Sequence, residues 1–288
     1  MMRIVIAAGA AALFLGGSAE AASTVFANNP APGDAFTNVG PSNQGQAVGA
    51  TGWVYNNVRN NAVVGISTEY PRNGNGSAAF FSPNGAGKAD IEFLADPFDL
   101  GGNFVATGSL GLLSDFSGAS YEWFRDSSST NPAAQHPAFR ILLDADGDLQ
   151  TVGDRGGLVF EGVYNGAPTA LTDQFVAETI TSTTNLWNFG LGLGNEFNIN
   201  ATSFAYDGTL SEWQDFLSSA VILGFSMGVG SGWNGEFSGA VDTVSWTIDG
   251  VTTSTNFEVN AVPVPGGLLL LASGLGALGF ARRRRRAS

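Results

Sequence analysis

Apolar residues in the middle of the chain recur in short runs bounded by Gly, Asn, Asp and Pro, a pattern of strands and turns rather than of helices. Thirteen strands are predicted, over 52–58, 62–67, 77–82, 89–95, 104–113, 120–125, 138–143, 157–164, 174–181, 186–193, 220–229, 239–248 and 253–259. Turn signals separate them at intervals that suit two packed sheets, so the expected fold is all-β, an antiparallel β-sandwich. One stretch departs from the pattern: over 209–219, Trp213, Phe216 and Leu217 stand at three- and four-residue spacing, which predicts one short helix with Ser211 or Thr209 as its N-cap. Residues 28–46, rich in Asn, Pro, Gly and Ser, are expected to form a loop or a loosely held arm. No repeat and no long linker divides 22–260, which is expected to form one domain.

The two ends follow other rules. Residues 1–21 carry one positive charge, Arg3, then an apolar stretch over 4–17 and the triplet Ala19-Glu20-Ala21, the parts of a secretory signal peptide with cleavage expected after Ala21. In the C-terminal segment 261–288, Val262, Pro263, Val264 and Pro265 lead into an apolar stretch that ends at Ala281, followed by Arg282, Arg283, Arg284, Arg285 and Arg286. The 18 residues of 264–281 reach the lower limit for crossing a bilayer as a helix, so a single membrane-spanning helix is expected. The arginines hold its end in the cytoplasm and place everything before it on the far side of the inner membrane. The two prolines keep the backbone just outside extended and unpaired, a form that a processing enzyme can bind.

This order of Pro motif, apolar helix and Arg cluster resembles the PEP-CTERM sorting domain of Gram-negative bacteria, in its VPxP variant. The resemblance covers about 27 of the 288 residues. It implies recognition by an exosortase-type membrane transpeptidase, removal of the tail, and delivery to the cell surface or to an exopolysaccharide matrix. Val264 stands where the PEP form has Glu, which leaves open the exosortase subclass and the processing point. A permanent single-span anchor is the alternative, since the span is adequate by itself.

Composition narrows the chemistry. The absence of Cys removes disulfide frameworks, thiol nucleophiles and iron–sulfur ligation, and the single histidine, His136, removes His-rich metal sites. Between Ala22 and Ala261 there are 24 acidic and 6 basic residues, a net charge of −18, and such a surface repels nucleic acid and anionic lipid. No nucleic-acid partner is expected.

Three segments of the middle resemble concanavalin A-like, lectin-like jelly-roll domains: Gly74-Asn75-Gly76-Ser77-Ala78-Ala79-Phe80, the Gly-rich run from Gly157 to Gly166, and Gly239-Ala240-Val241-Asp242-Thr243-Val244-Ser245-Trp246 ahead of Thr255-Asn256-Phe257-Glu258. The resemblance implies a jelly-roll sandwich, and sugar binding by analogy of fold.

Candidate chemistry is sparse. Asp144, Asp146 and Asp148 alternate around Gly147, a spacing of hard oxygen ligands that suits calcium, or an Asp-Gly hairpin turn without any ion. The E-x-D-x-x-E arrangement of lectin-like hydrolases is not present, so no catalytic residue is nominated and an enzyme is not expected. His136 follows the polar stretch 127–135 and reads as an exposed loop histidine. Trp233 and Asn234 lie in a glycine-rich loop that would present an aromatic face and an amide to a sugar, although packing against the sheet is the commoner use of such a tryptophan. Trp123, Trp187, Trp213 and Trp246 have strand or helix neighbours and are expected in the core. The leading expectation is an exported structural or adhesive protein of the cell surface or exopolysaccharide matrix. The alternatives are a secreted glycan-active enzyme on the same fold and a tethered calcium-dependent lectin.

Overall fold

The alternating segments fold into two sheets packed face to face. The computed structural model describes residues 20–38, 45–96, 107–201, 206–230 and 232–261. Strands are numbered in chain order. The first sheet is built on β15 (Phe237–Ile248). One edge of β15 pairs with β9 (Phe116–Arg125), which pairs in turn with β12 (Phe175–Ile180). The other edge is shared. Its first half takes β6 (Ser77–Ser82), then β5 (Val63–Ser67) and β2 (Phe36–Thr37). Its second half takes β16 (Val251–Glu258), then β1 (Glu20–Phe26). The second sheet runs β13 (Trp187–Gly190), β11 (Arg155–Phe160), β10 (Ala138–Asp144), β14 (Val221–Val229), β7 (Lys88–Leu94), β4 (Trp53–Arg59) and β3 (Gln46–Ala47), with β8 (Gly111–Leu112) against the start of β14. Pairing is antiparallel throughout except that β1 lies parallel to β16.

Because successive side chains of a strand point to opposite faces, each strand sends every second residue into the space between the sheets. Tyr55, Ile91, Phe139, Ile141, Leu158, Phe225 and Met227 enter from the second sheet and meet Ile66, Phe80, Tyr121, Val244 and Phe257 from the first. Aromatic rings join the two layers: Trp53 meets Phe257 edge-on at 4.9 Å, and Trp246 lies 4.8 Å from Phe225 and 5.0 Å from Phe93. Trp123, Trp213 and Trp246 are buried in this core.

Several sequence expectations change. Of 104–113, only Gly111–Leu112 is strand among the described residues; Leu113–Asp115 turns as a 3-10 segment, and 97–106 lies outside the described residues. The strand expected over 157–164 ends at Phe160, and Gly162–Asn165 forms a second 3-10 turn. The arm over 28–46 is tied down as far as residue 38: buried Asp34 accepts the backbone N–H groups of Asn28 and Asn29 and, at 2.7 Å, the Tyr55 hydroxyl. Asn, Pro and Gly there build a turn around a buried carboxylate, not a free loop. The helix, α1 (Leu210–Phe216), is shorter than expected and is capped by Thr209, whose backbone N–H donates in return to Glu212, a reciprocal box that satisfies two orphan donors.

The sorting signal at Val262, Pro263, Val264, Pro265 and Arg282 to Arg286, the expected membrane-spanning helix, and residues 1–19 of the signal peptide lie outside the described residues. Among the described residues no helix is long and apolar enough to cross a membrane. The bond expected to be cleaved, after Ala21, falls within β1, and Ala22 to Phe26 keep their register with Ser254 to Glu258 on the far side of it.

Where β6 and β16 part along β15, the strand bulges, with Thr243 at φ 49° and the register to β9 broken between Asp242 and Ser245. Here the Asp242 side chain replaces the ladder, its Oδ1 accepting the Phe257 N–H at 2.8 Å while Oδ2 is buried without a partner. Burial, with Glu258 and Glu122 nearby, pushes this carboxyl from 3.8 to about 7. Its folded value exceeds its unfolded one, so the fold holds the proton more tightly, and stability present at low pH is lost as pH rises through about 7. Asp242→Asn keeps the Oδ1 acceptor and removes that loss. It is expected to be the more stable protein at pH 8, on the order of 2 kcal/mol, with the difference vanishing below about pH 4. Urea melts across this range check it, and a pH-independent difference would count against the assignment.

Candidate functional site

The residues that β10, β11, β14 and β7 turn away from the core form an unusually polar outer face. Register lines them up across the sheet: Glu92 lies opposite Ser226, Ser226 opposite Arg140, Arg140 opposite Val159, and Val159 opposite Trp187. A neighbouring row sets Asn56 opposite Asp90, Asp90 opposite Gly228, and Gly228 opposite Ala138. Asp90 is fully buried and Arg140 nearly so. Asp90 Oδ1 accepts from Arg140 Nη1 at 2.8 Å, and its Oδ2 lies 3.2 Å from Lys88 Nζ, near enough for an ion pair but without hydrogen-bond alignment. Glu92 accepts from the side-chain amides of Asn56 and Asn57, and its carboxyl is raised by burial and by the neighbouring Asp90 charge.

Glycine makes the Asp90 to Arg140 contact possible across the intervening strand. A Cβ at Gly228 would stand 2.3 Å from Asp90 Oδ1 and 2.3 Å from the Ala89 carbonyl oxygen, so any side chain there displaces the carboxylate or the ladder.

Beside this row opens a cleft of about 240 Å³, lined by Lys88, Arg140, Glu161, Trp187, Phe189 and Trp233 among others. Trp187 Nε1 donates to Glu161 Oε2 at 3.3 Å, and burial raises the Glu161 carboxyl. Glu161 also lines a second hollow of about 210 Å³ with Gln135, His136 and Tyr164, so the two open on either side of one carboxylate. Tyr164 stacks on Tyr206 at 4.1 Å, and Tyr206 meets Trp187 edge-on, extending the aromatic surface.

The expected site residues are distributed differently. Trp233 does line the cleft, but it is only 8% exposed: Gly232, at φ 103°, reverses the chain and donates its N–H to the Gly85 carbonyl, turning the indole in against Phe237. Asn234 is exposed and is not among the lining residues. Trp187, expected in the core, faces outward because its partner Val159 is an outward position of β11. His136 is a correction: it is buried, stacked on Trp123 at 4.2 Å, and its Nε2 accepts the Gly162 N–H. The ring is neutral, its pKa lowered by burial to about 4. The polar stretch before it hid this, because Asn131 and the Gln135 carbonyl fold inward to bind the buried Arg125 guanidinium.

The acidic loop also differs from expectation. Carboxylate oxygens of Asp144, Asp146 and Asp154 converge within 4.8 Å of one another. Asp148 is outside that group, its Oδ1 turned to the Gln150 N–H. Asp144 already carries a cation, since Arg155 Nε donates to its Oδ2 at 3.1 Å. Asp154 is eight residues beyond Asp146, and only the hairpin between β10 and β11 brings them together.

No protein-family model and no curated protein matches the chain. Among solved structures it is similar to a carbohydrate-binding module of the β-sandwich superfamily, at 13% identity and a TM-score of 0.33, over 68% of this chain and 56% of the other. It is also similar to the cellulose-induced protein Cip1, at 13% identity and a TM-score of 0.34, over 66% of this chain and 87% of the other. The chain therefore spans little more than half the length of the first of these. Both likenesses are loose and add nothing to the two-sheet architecture described above.

Gly228→Ala is expected to lower stability by about 1–3 kcal/mol, the cost of overpacking a close contact, measured by urea denaturation. A loss below roughly 0.5 kcal/mol, the scatter of neutral surface changes, would mean that Asp90 can leave Arg140 freely.

Proposed function

We propose that this chain is an exported β-sandwich protein of the jelly-roll type that binds polysaccharide in the cleft between Trp187 and Trp233, and that it is held at the cell surface or in an exopolysaccharide matrix. The observation that carries the reading is the cleft itself. Trp187 and Phe189 offer partly exposed aromatic surface for the apolar faces of sugar rings, the largely buried Trp233 completes the lining, and Lys88, Arg140 and Glu161 offer hydrogen bonds to the ring substituents. Pockets of this kind combine an apolar wall with a few directed polar groups.

Binding suits the geometry better than hydrolysis. Glycoside hydrolysis needs two carboxyl groups across the scissile bond, about 5–5.5 Å apart for retention or 6.5–9.5 Å for inversion. Among the described residues that line the cleft, Glu161 is the sole carboxylate, because Asp90 and Glu92 are buried beneath it and engaged by Arg140, Asn56 and Asn57. The glycan-active alternative draws on Glu161, which lines the cleft and whose carboxyl is raised by burial. Its test is release of reducing ends that disappears in Glu161→Gln.

The route outward is read from the two ends: a signal peptide removed after Ala21, then a tail recognised at Pro263 and Pro265 by an exosortase and removed with Arg282 to Arg286. Two outcomes are expected. Trp187→Ala lowers affinity for a bound polysaccharide about tenfold or more in affinity electrophoresis, the loss of a large aromatic contact. An unchanged mobility shift would remove the cleft from the reading. In a Gram-negative host, intact mass falls to that of roughly residues 22–265 only when an exosortase is co-expressed. Retention of the tail in both strains would make the chain a permanently anchored protein.

A further inference from the structure

We infer that the cleft selects sugars bearing a carboxylate, a uronate polymer rather than a neutral glucan; the inference rests on the polysaccharide-binding reading above. Lys88 is the sole lysine in 288 residues, and the segment 22–261 holds six basic residues against 24 acidic ones. Two of those six, Lys88 and Arg140, meet at this one cleft. Asp90 is shared between them, and the two other carboxyls that feel these charges, Glu92 near Lys88 and Glu161 near Arg140, are both shifted by burial toward the neutral form.

The hydrogen-bonding groups are also one-sided. Arg140 spends Nη1 on Asp90 and Ser226, while its Nε and Nη2 take no partner among the described residues. The Lys88 ammonium is near Asp90 Oδ2 yet makes no hydrogen bond to it. Among the described residues that line the cleft, Glu161 is the sole side-chain carboxylate, and one of its oxygens already accepts from Trp187. A neutral sugar hydroxyl donates as well as accepts and leaves such a donor-rich wall partly unsatisfied. A carboxylate accepts only, and a guanidinium fork matches its geometry. The sugar ring lies against Trp187 and Phe189, with its carboxylate toward Arg140 and Lys88.

The test uses the exported domain in affinity gels containing polygalacturonate, alginate or hyaluronate, the same polymers after reduction of their carboxyl groups, and polyacrylate. Retardation by one or more uronate polymers is expected, at least tenfold weaker with the reduced form of that polymer and in Lys88→Gln, the loss of a charged hydrogen bond. The bound polymer is also expected to slow acetylation of Lys88 in the parent protein, read by mass spectrometry; this measurement needs no variant. Equal retardation by a reduced polymer overturns the preference for acid sugars and leaves polysaccharide binding standing. Equal retardation by polyacrylate, or none by any sugar polymer, overturns both.

Discussion

The contact between the two sheets through Trp53, Phe93, Phe225, Trp246 and Phe257 is the constraint on which the remaining structure depends. Ring centroids from 4.8 to 6.1 Å apart leave no slack between the layers, and edge-on and tilted geometries are those that aromatic quadrupoles favour. Once the inner face of each strand is committed there, the pleat assigns every alternate residue outward. A one-residue slip of β7 would bring Lys88, Asp90 and Glu92 into that aromatic layer and expose Ala89 and Ile91, so register is strongly specified.

The outer face of the second sheet carries the unfavourable part of the design. Asp90, Glu92 and Arg140 are nearly or fully buried on a face that could have been solvated, and buried ion pairs of this kind seldom stabilise a fold beyond what apolar packing would supply. Their arrangement instead holds Arg140 rigid, with one side of its guanidinium fixed by Asp90 and Ser226 and the other turned to the cleft. A group held in this way loses little freedom when a ligand arrives. Titration elsewhere works in opposing directions: neutral His136 resists acid on top of Trp123, whereas Asp242 at the fork of β15 resists loss of its proton. Charging His136 costs stability as pH falls from 6.5 to about 4, and charging Asp242 costs stability as pH rises from 3.8 to about 7, so across the mildly acidic range the two effects oppose and largely cancel each other.

Much of the strand layout was legible in the apolar runs, down to the matching bounds of Ser77–Ser82. Even the key strand of the site was visible as alternation, since Lys88-Ala89-Asp90-Ile91-Glu92-Phe93 places a charge at every second position. Its meaning was not legible, because alternation shows that one face is polar and not which strands adjoin it. The errors share a cause. Trp187 reads as core, His136 as an exposed loop residue and 28–46 as a loop or loosely held arm, since local composition reports polarity while burial is decided by what lies opposite. Polar residues around Arg125 and Asp34 are polar because they satisfy a buried charge.

By itself, the sequence determined the all-β class, one short helix with its cap at Thr209 or Ser211, and the acidic middle, because each follows from local periodicity, capping or charge. Tertiary structure alone decided that Lys88, Arg140, Glu161, Trp187 and Trp233, drawn from across 146 positions of chain, share one cleft. The physical reason is the order of strands in the sheet: β7, β14, β10, β11 and β13 become neighbours through long-range pairing, which no local pattern encodes.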